Sequence, residues 1–267
     1  MRKSSITAAI AFLSAVPAFG AVPVATYEFN GTFAADQAGV PSLAAVDPLG
    51  LSNFHGDTVI GIPRTVWNFA GASDPTNNQA GFTLNTTGLL TSPAQYSVDM
   101  IFDLTDRDGA WRRLLDVQNR QSDSGFYVDP SNNLDIYPIS GSTAPWTNNV
   151  YHHVVVTVDG ANVAAYLDGA SQFSATTNEL DLNFDPGNNP NQLLGAFLDN
   201  VVAGGQGEWS AGNVSFFRLW DGALSATDAE SLANNPFAAP EPASLSLVAL
   251  VSPLFFRRGN RARHVRT

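Results

Sequence analysis

Residues 151–169 read YHHVVVTVDGANVAAYLDG, and this stretch decides the fold class. The segment from His152 to Val158 is apolar on both faces, which predicts a strand in the interior of a sheet. Asp159-Gly160 predicts a tight turn, because glycine adopts positive φ without strain, and Val163 to Leu167 then forms the partner strand. The stretch therefore indicates a β-hairpin within an all-β domain.

The same rhythm continues outside the hairpin. Tyr96 to Leu104 alternates between apolar and polar side chains, which is typical of a strand with one face in a core. Turn residues separate the other predicted strands, which are Trp111–Val117, Phe126–Val128, Leu134–Tyr137 and Val214–Trp220. Ser225 followed by Asp228 predicts a capping box at the start of a short helix that reaches Ala233.

The residues 105–109, TDRDG, predict a hairpin turn between the strands around them. The alternative is a calcium loop of the EF-hand type. In that register Leu104 and Leu115 would occupy the first and twelfth ligand positions, and leucine cannot coordinate a metal.

The hairpin at 151–169 resembles the characteristic hairpin of the LamG/concanavalin A-like families. The stretch VSFFRLWDGALSATDAESLANNP, residues 214–236, resembles the closing strand and small helix of the same fold. The resemblance implies that residues 21–236 form a jelly-roll sandwich of two antiparallel sheets. Domains of this kind bind glycans or proteins, and the fold alone does not choose between them.

The N-terminus is built like a secretory signal peptide, residues 1–20. Arg2 and Lys3 precede an apolar stretch, and small residues at positions 18 and 20 predict cleavage by signal peptidase between Gly20 and Ala21. A retained anchor is the alternative, but the stretch is shorter than the roughly 20 residues that span a bilayer.

The C-terminus has three parts in order. A linker at 237–242 ends in Pro240-Glu241-Pro242, an apolar segment covers 243–256, and an arginine-rich tail covers 257–267. The combination resembles the PEP-CTERM sorting signal of Gram-negative bacteria, and it implies processing by an exosortase-type membrane protease. The apolar segment predicts a short hydrophobic helix; a terminal amphipathic helix fits less well, because the apolar residues are continuous. The two ends together predict export to the cell surface or the extracellular space.

Charge excludes one class of partner. Between the two terminal segments the chain has six arginines, no lysine and all 24 acidic residues, a formal net charge of −18. Such a surface repels nucleic acid and favours cations. The chain has no cysteine, so it has neither a disulfide framework nor thiol chemistry.

The carboxylates argue against catalysis. The hydrolases nearest this fold carry Glu-x-Asp-x-x-Glu on one strand, and none of the five glutamates lies in that pattern; they are Glu28, Glu179, Glu208, Glu230 and Glu241. His152 and His153 are adjacent on a strand, so they point to opposite faces and cannot share one ion without a bulge. We therefore expect no enzyme activity, although a catalytic set assembled from distant loops stays open.

Two loop tryptophans are candidates for ligand contact. Trp146 and Trp209 lie beside amide and carboxylate residues, a setting that suits stacking on a sugar. The alternative for both is that they cap the core of the sandwich.

The resemblance also implies a calcium ion at the rim of the sandwich. Asp199 and Asn200 follow an apolar strand and precede three glycines, and Asp123 is the distant partner predicted to join them. The alternative is that all three residues only form turns.

The sequence thus predicts a non-enzymatic surface module that binds an extracellular polysaccharide or a surface protein. A secreted carbohydrate-active enzyme, either a glycoside hydrolase or a lyase, is the rival. A structural surface protein without a ligand is the third possibility.

Overall fold

The computed structural model describes residues 20–72, 78–105, 109–201 and 208–237. The signal-like segment up to residue 19, the sorting motif Pro240-Glu241-Pro242, the apolar segment and the basic tail lie outside the described residues. Gly20 is exposed, and Ala21 is 5 % exposed and packs in a small apolar cluster with Trp220 and Leu224.

The described residues form two antiparallel sheets, as the resemblance implied. Sheet 1 has eight strands: β1 (Val22–Tyr27), β3 (Asn53–Val59), β4 (Ile62–Ala70), β6 (Gln95–Leu104), β11 (His152–Asp159), β12 (Asn162–Leu167), β13 (Ala170–Thr176) and β15 (Ala211–Asp221). Sheet 2 has seven: β2 (Ala44–Val46), β5 (Gly81–Asn85), β7 (Arg112–Asp116), β8 (Gly125–Val128), β9 (Asn133–Tyr137), β10 (Ser140–Pro145) and β14 (Leu193–Ala196). The all-β jelly-roll prediction is confirmed.

The strand order explains how the sandwich closes. Sheet 1 runs β13-β12-β11-β6-β15-β4-β3, and sheet 2 runs β10-β9-β8-β7-β14-β5-β2. The long strand β15 pairs with β6 on one side; on the other, its first part pairs with β4 and its last part with β1. β15 therefore joins the early and middle strands into one sheet.

The hairpin that decided the fold class has the predicted register. Val158 pairs with Val163 and Asp159 with Asn162, and Gly160 has a φ of 63°. β11 lies between β12 and β6, which agrees with its apolar residues on both faces.

The prediction of a hairpin at residues 105–109 is wrong. Residues 106–108 lie outside the described part, but β6 belongs to sheet 1 and β7 to sheet 2, so the strands on either side do not pair. The chain crosses from one sheet to the other here. Turn residues allow a sandwich crossing as well as a hairpin, and local sequence does not distinguish them.

The core between the sheets is strongly aromatic. The rings of Phe69 and Phe197 stack with centroids 4.0 Å apart, and Phe82 meets Phe197 and Phe217 edge to face. Apolar side chains from both sheets fill the remaining space. This packing holds sheet 2 as a rigid support for the loops on its outer side.

The outer face of sheet 1 is also covered. Helix α1 (Ala226–Asn234) begins with the predicted capping box of Ser225 and Asp228, and it packs near Trp220. Beneath this cover Asp99 and Arg218 form a buried ion pair with a 2.8 Å contact. Burial alone would raise the pKa of Asp99, but Arg218 and His153 outweigh it and hold that pKa below its usual value.

The two histidines point to opposite faces, as predicted. The ring of His152 lies 4.6 Å from that of Trp146, and its Nδ1 is 2.7 Å from Asp168 Oδ2. His153 is 1 % exposed, with its Nε2 3.9 Å from Asp99. Both side chains are buried in the packing of the domain, His152 against Trp146 and His153 beside Asp99. The described residues include no helix long and apolar enough to cross a membrane.

Candidate functional site

The candidate site lies on the outer side of sheet 2, where strand alternation places polar and aromatic residues. On β8, Phe126 and Val128 belong to the core, so Tyr127 between them points away from it. On β9, Leu134 and Ile136 are in the core, so Tyr137 also points outward.

Three carboxyl groups from different loops meet above Tyr127. Asp123 precedes β8, Asp199 follows β14 and Glu208 precedes β15, and their carboxylate oxygens lie within 4.8 Å of one another. Burial raises the pKa of Glu208 to about 8, with a hydrogen bond and charge repulsion from Asp199 and the charge of Asp123 adding to the effect. These effects all favour the protonated form of Glu208.

Asp199 is the buried member of this acid cluster and is firmly held. It is 2 % exposed, and its Oδ1 accepts a 2.7 Å hydrogen bond from the backbone N–H of Asn200 and lies 3.4 Å from Arg113 Nε. Gln79 ties the loops together, since its Oε1 accepts from the Asp199 N–H and its Nε2 donates to the Glu208 carbonyl. The acid cluster is thus preorganised by neutral and cationic donors.

Arg113 supplies a compensating positive charge under the cluster. The residue is fully buried and lies on β7, with its Nε donating to the Tyr127 hydroxyl at 2.5 Å and its guanidinium over the Tyr127 ring. Its other nitrogens donate to Asp116 Oδ1 and the Ser122 carbonyl. All of these contacts fix the position of the Tyr127 ring.

A small cleft opens beside the acids. It has a volume of about 50 Å³ and is lined by Trp111, Asp123, Tyr127, Tyr137 and Glu208. The Trp111 ring meets Tyr127 edge to face at 5.5 Å and Tyr137 at 5.4 Å. Three aromatic rings and two carboxyl groups therefore converge on one cavity, and Tyr137 is 38 % exposed at its mouth.

The structure brings together all three residues predicted for the metal site. Asn200 Nδ2 donates to Asp123 Oδ1 at 3.0 Å, and Asp199 is adjacent in the chain. The sequence analysis missed Glu208, because it weighed glutamates only against a catalytic pattern. The sequence feature that could have pointed to Glu208 is its position next to Trp209 in a glycine-rich loop.

The ligand role predicted for Trp146 is wrong. Its ring is 3 % exposed and stacks on Phe102 with centroids 5.0 Å apart, so no ring face is open to a sugar. The core-capping alternative describes it correctly. Trp209 is half-buried next to Glu208, outside the lining of the cleft, and its ligand role stays a prediction.

Comparison with known proteins identifies the family. The family model described as the concanavalin A-like lectin/glucanases superfamily matches residues 76–230. The chain belongs to this superfamily. No curated protein is similar enough in sequence to match.

Solved structures share the concanavalin A-like fold at low sequence identity. Domain 4 of AbnA, a GH43 extracellular arabinanase from Geobacillus stearothermophilus, was solved with arabinotriose; it is 17 % identical, with a TM-score of 0.56 over 80 % of this chain and 98 % of that one. The binding domain of Paraclostridial mosquitocidal protein 1 is 14 % identical, with a TM-score of 0.52 over 82 % of this chain and 53 % of that one.

A third structure is of botulinum neurotoxin type C, whose cell entry depends upon interaction with two ganglioside molecules. It is 12 % identical, with a TM-score of 0.51 over 80 % of this chain and 51 % of that one. The chain thus spans about half the length of the two toxin structures. At these identities the likeness establishes the fold alone.

The acid cluster of this concanavalin A-like domain fits a calcium ion. Calcium takes six to eight oxygen ligands, and three carboxyl groups are within reach of one point. Asn200 is 3 % exposed, and its Oδ1 has no hydrogen-bond partner among the described residues. The glycines expected to contribute carbonyls, at 204, 205 and 207, lie outside the described residues.

A larger depression on the outer side of sheet 1 is a weaker candidate. It has a volume of about 720 Å³, is wide open, and is lined by residues of β3 and β4 together with Glu28 and Asn30, which follow β1. Arg64 is the one cation among its lining residues, and it already has partners. Its guanidinium lies 3.6 Å from the Glu28 carboxylate, and its Nε donates to the Ser215 hydroxyl. We therefore place the functional site at the cleft on sheet 2.

Proposed function

We propose that this protein is an exported surface module that binds carbohydrate without cleaving it, and that the cleft on sheet 2 is its binding site. The observation that carries the proposal is the convergence of Trp111 and Tyr137 with Asp123 and Glu208 on one cavity. Aromatic rings stack on the apolar faces of sugars, and a few fixed polar groups orient the sugar hydroxyls.

The division of roles follows from exposure. Tyr137 and the partly exposed Trp111 form the contact surface, while Tyr127 and Arg113 are buried and hold that surface in place. Asp123 and Glu208 line the cavity, so they are the groups that meet the ligand. Asp199 does not line the cavity and acts as a positioning residue.

Export and sorting complete the proposal. The signal-like residues 1–20 bring the chain to the translocation machinery and signal peptidase. The Pro-Glu-Pro motif with its apolar segment and arginine tail delivers the protein to an exosortase-type protease in a Gram-negative cell envelope. The ligand then lies outside the cell, as an extracellular polysaccharide or the glycan of a surface protein.

One observation favours a second candidate, glycoside hydrolysis. A protonated carboxyl group beside other carboxylates is the arrangement that glycosidases use, and Glu208 has it. Two features favour binding instead. Asp199 is almost fully buried, and a cavity of about 50 Å³ cannot enclose the two sugar rings of a glycosidic bond.

A binding assay combined with an activity assay tests the choice. The protein should be retained on one or more members of a polysaccharide panel, and Trp111→Ala should abolish the retention while Phe184→Ala, an exposed aromatic elsewhere, leaves it intact. The same panel should release no reducing ends. Release that disappears in Glu208→Gln would establish the hydrolase.

We also propose that the acid cluster binds calcium in the folded protein. Asp123, Asp199, Glu208 and Asn200 would hold the ion, which would neutralise the repulsion between the carboxyl groups. Calcium should raise the midpoint of thermal unfolding relative to chelator, because a ligand of the folded state stabilises it by mass action. An unchanged midpoint, or a full shift in Asp199→Ala, would contradict the site.

A further inference from the structure

The lining of the cleft has an unusual composition for a site that binds a neutral sugar. Three aromatic rings surround it, and both of its polar side chains are carboxyl groups. The electron-rich faces of aromatic rings attract cations, and the carboxylate of Asp123 does so more strongly, while an ammonium group can also donate to the carbonyl oxygen of a protonated Glu208. The domain around it adds a large negative charge, which raises the local concentration of any cation.

We infer that the cleft binds an organic ammonium group, presented by a polysaccharide as the protonated amine of an unacetylated amino sugar. The inference rests on the proposed carbohydrate-binding function and names the chemical class of its ligand. The sugar ring stacks on Trp111 and Tyr137 at the mouth, and the ammonium group enters the cavity between Asp123 and Glu208.

The size of the cavity supports a substituent rather than a whole sugar. The space open to the centre of a water-sized sphere is only about 50 Å³, so the cleft is narrow and admits a small substituent. An ammonium group fits this volume, whereas a pyranose ring does not. The ring must then remain at the mouth, where the exposed face of Tyr137 lies.

The aromatic walls suit an organic cation, and the calcium ion proposed above would share Asp123 and Glu208 with it, so the two would compete. The only oxygen that an aromatic side chain can offer calcium is the phenol oxygen of a tyrosine. In Tyr127 that oxygen already accepts a hydrogen bond from Arg113 Nε. Calcium would need Asp199, which lies deeper than the cavity wall. A buried amide oxygen, Asn200 Oδ1, has no partner among the described residues, and its carboxamide is joined to Asp123.

Binding of matched oligosaccharides tests the inference with the full-length protein in chelator. Glucosamine oligomers should bind about tenfold more tightly than N-acetylglucosamine oligomers of the same length, and tetramethylammonium should compete with them. Trp111→Ala and Asp123→Asn should each remove most of this preference. Phe184→Ala and Glu230→Gln, an exposed aromatic and an exposed acid elsewhere, should keep it.

The outcomes separate the two proposals. Equal binding of both oligomers, lost in Trp111→Ala, would leave carbohydrate binding intact and overturn the ammonium site. Failure of tetramethylammonium to compete, or a preference that survives Asp123→Asn, would also overturn it. Binding of neither oligomer nor any other glycan would remove the proposed function together with the inference drawn from it. Stabilisation by calcium with no effect of tetramethylammonium would make the cleft a metal site only.

Discussion

The carboxyl group of Glu208 links the electrostatics of the cleft to the stability of the protein. Burial raises its pKa to about 8 in the folded state, from an ordinary value of 4.5. The folded protein therefore binds the extra proton between these pH values, and stability falls as the pH rises through that window. Below pH 4.5 both states are protonated, and this contribution is fully present.

We expect Glu208→Gln to remove this loss of stability at high pH. At pH 5.5 the variant should unfold at nearly the wild-type temperature. At pH 8.5 its free energy of unfolding should exceed that of the wild type by about 1 kcal/mol, once the partial exposure of Glu208 is allowed for. This corresponds to a rise of about 2–4 °C in the midpoint of thermal unfolding. Thermal unfolding in chelator at both pH values measures this. Glu230→Gln, on the exposed side of α1, is the control; identical pH profiles for wild type and Glu208→Gln would contradict the raised pKa.

Two tryptophans should respond in opposite ways to truncation. Trp146→Ala removes a core ring stacked on Phe102, and it should lower the free energy of unfolding by about 3–5 kcal/mol. Trp111→Ala removes a partly exposed ring, so it should cost much less stability and abolish ligand binding. Chemical denaturation and a retention assay on both variants check the contrast. A Trp146→Ala variant of wild-type stability would be inconsistent with its place in the core.

At the level of elements, the capping box of α1 allows a prediction about stability at a place outside the cleft. The Ser225 hydroxyl accepts a hydrogen bond from the Asp228 N–H, and the Asp228 carboxylate accepts one from the Ser225 N–H. Ser225→Ala should therefore destabilise the protein by about 1 kcal/mol. Ligand affinity should not change, because α1 covers sheet 1 and the cleft belongs to sheet 2. Ser171→Ala, at an exposed serine of β13 in sheet 1, makes a suitable comparison for denaturation; a loss of affinity in Ser225→Ala would show that the sheets are coupled.

Local patterns predicted the elements well and their partners less well. The Asp159-Gly160 turn joins strands that are adjacent both in sequence and in the sheet, so the residues alone were sufficient. Five alternate residues of β6, from Tyr96 to Leu104, face the core as expected, but Asp99 and Ile101 on the other face are buried too. Its partner Arg218 lies 119 residues away, and no local pattern reports such a contact.

The same limit applies to the candidate site. Asp123 and Asn200 were predicted together from loop chemistry, and the hydrogen bond between them supports that reasoning. Trp111 and Tyr137 were assigned to strands, yet they form the cleft because their rings meet beside Tyr127 on the outer side of the neighbouring strands β7, β8 and β9. Trp146 sits between amide and hydroxyl residues in a segment that resembles a surface loop, and only the tertiary fold turns its ring inward.

At the scale of the whole molecule, processing of both ends is the decisive prediction. Protein isolated from its natural host should begin at Ala21 and lack the arginines from Arg257 onward, because each end carries its own recognition features. Intact-mass measurement with terminal peptide mapping reads out both cuts. A chain in its final location that retains the basic tail would contradict sorting by an exosortase-type protease, and a retained N-terminus would contradict the signal peptide.

The pairing of β1 with β15 has a consequence for the order in which the chain is made. Tyr27 aligns with Phe217 and Ala25 with Leu219, so the first strand finds its neighbour only when the last strand has been synthesised. Strands β4 and β6 also wait for β15, since each pairs with it. A nascent chain that ends before residue 211 therefore exposes apolar strand edges and cannot close the sandwich. Closure of the sandwich therefore comes late in synthesis, and until then the unpaired strand edges leave the chain prone to aggregation.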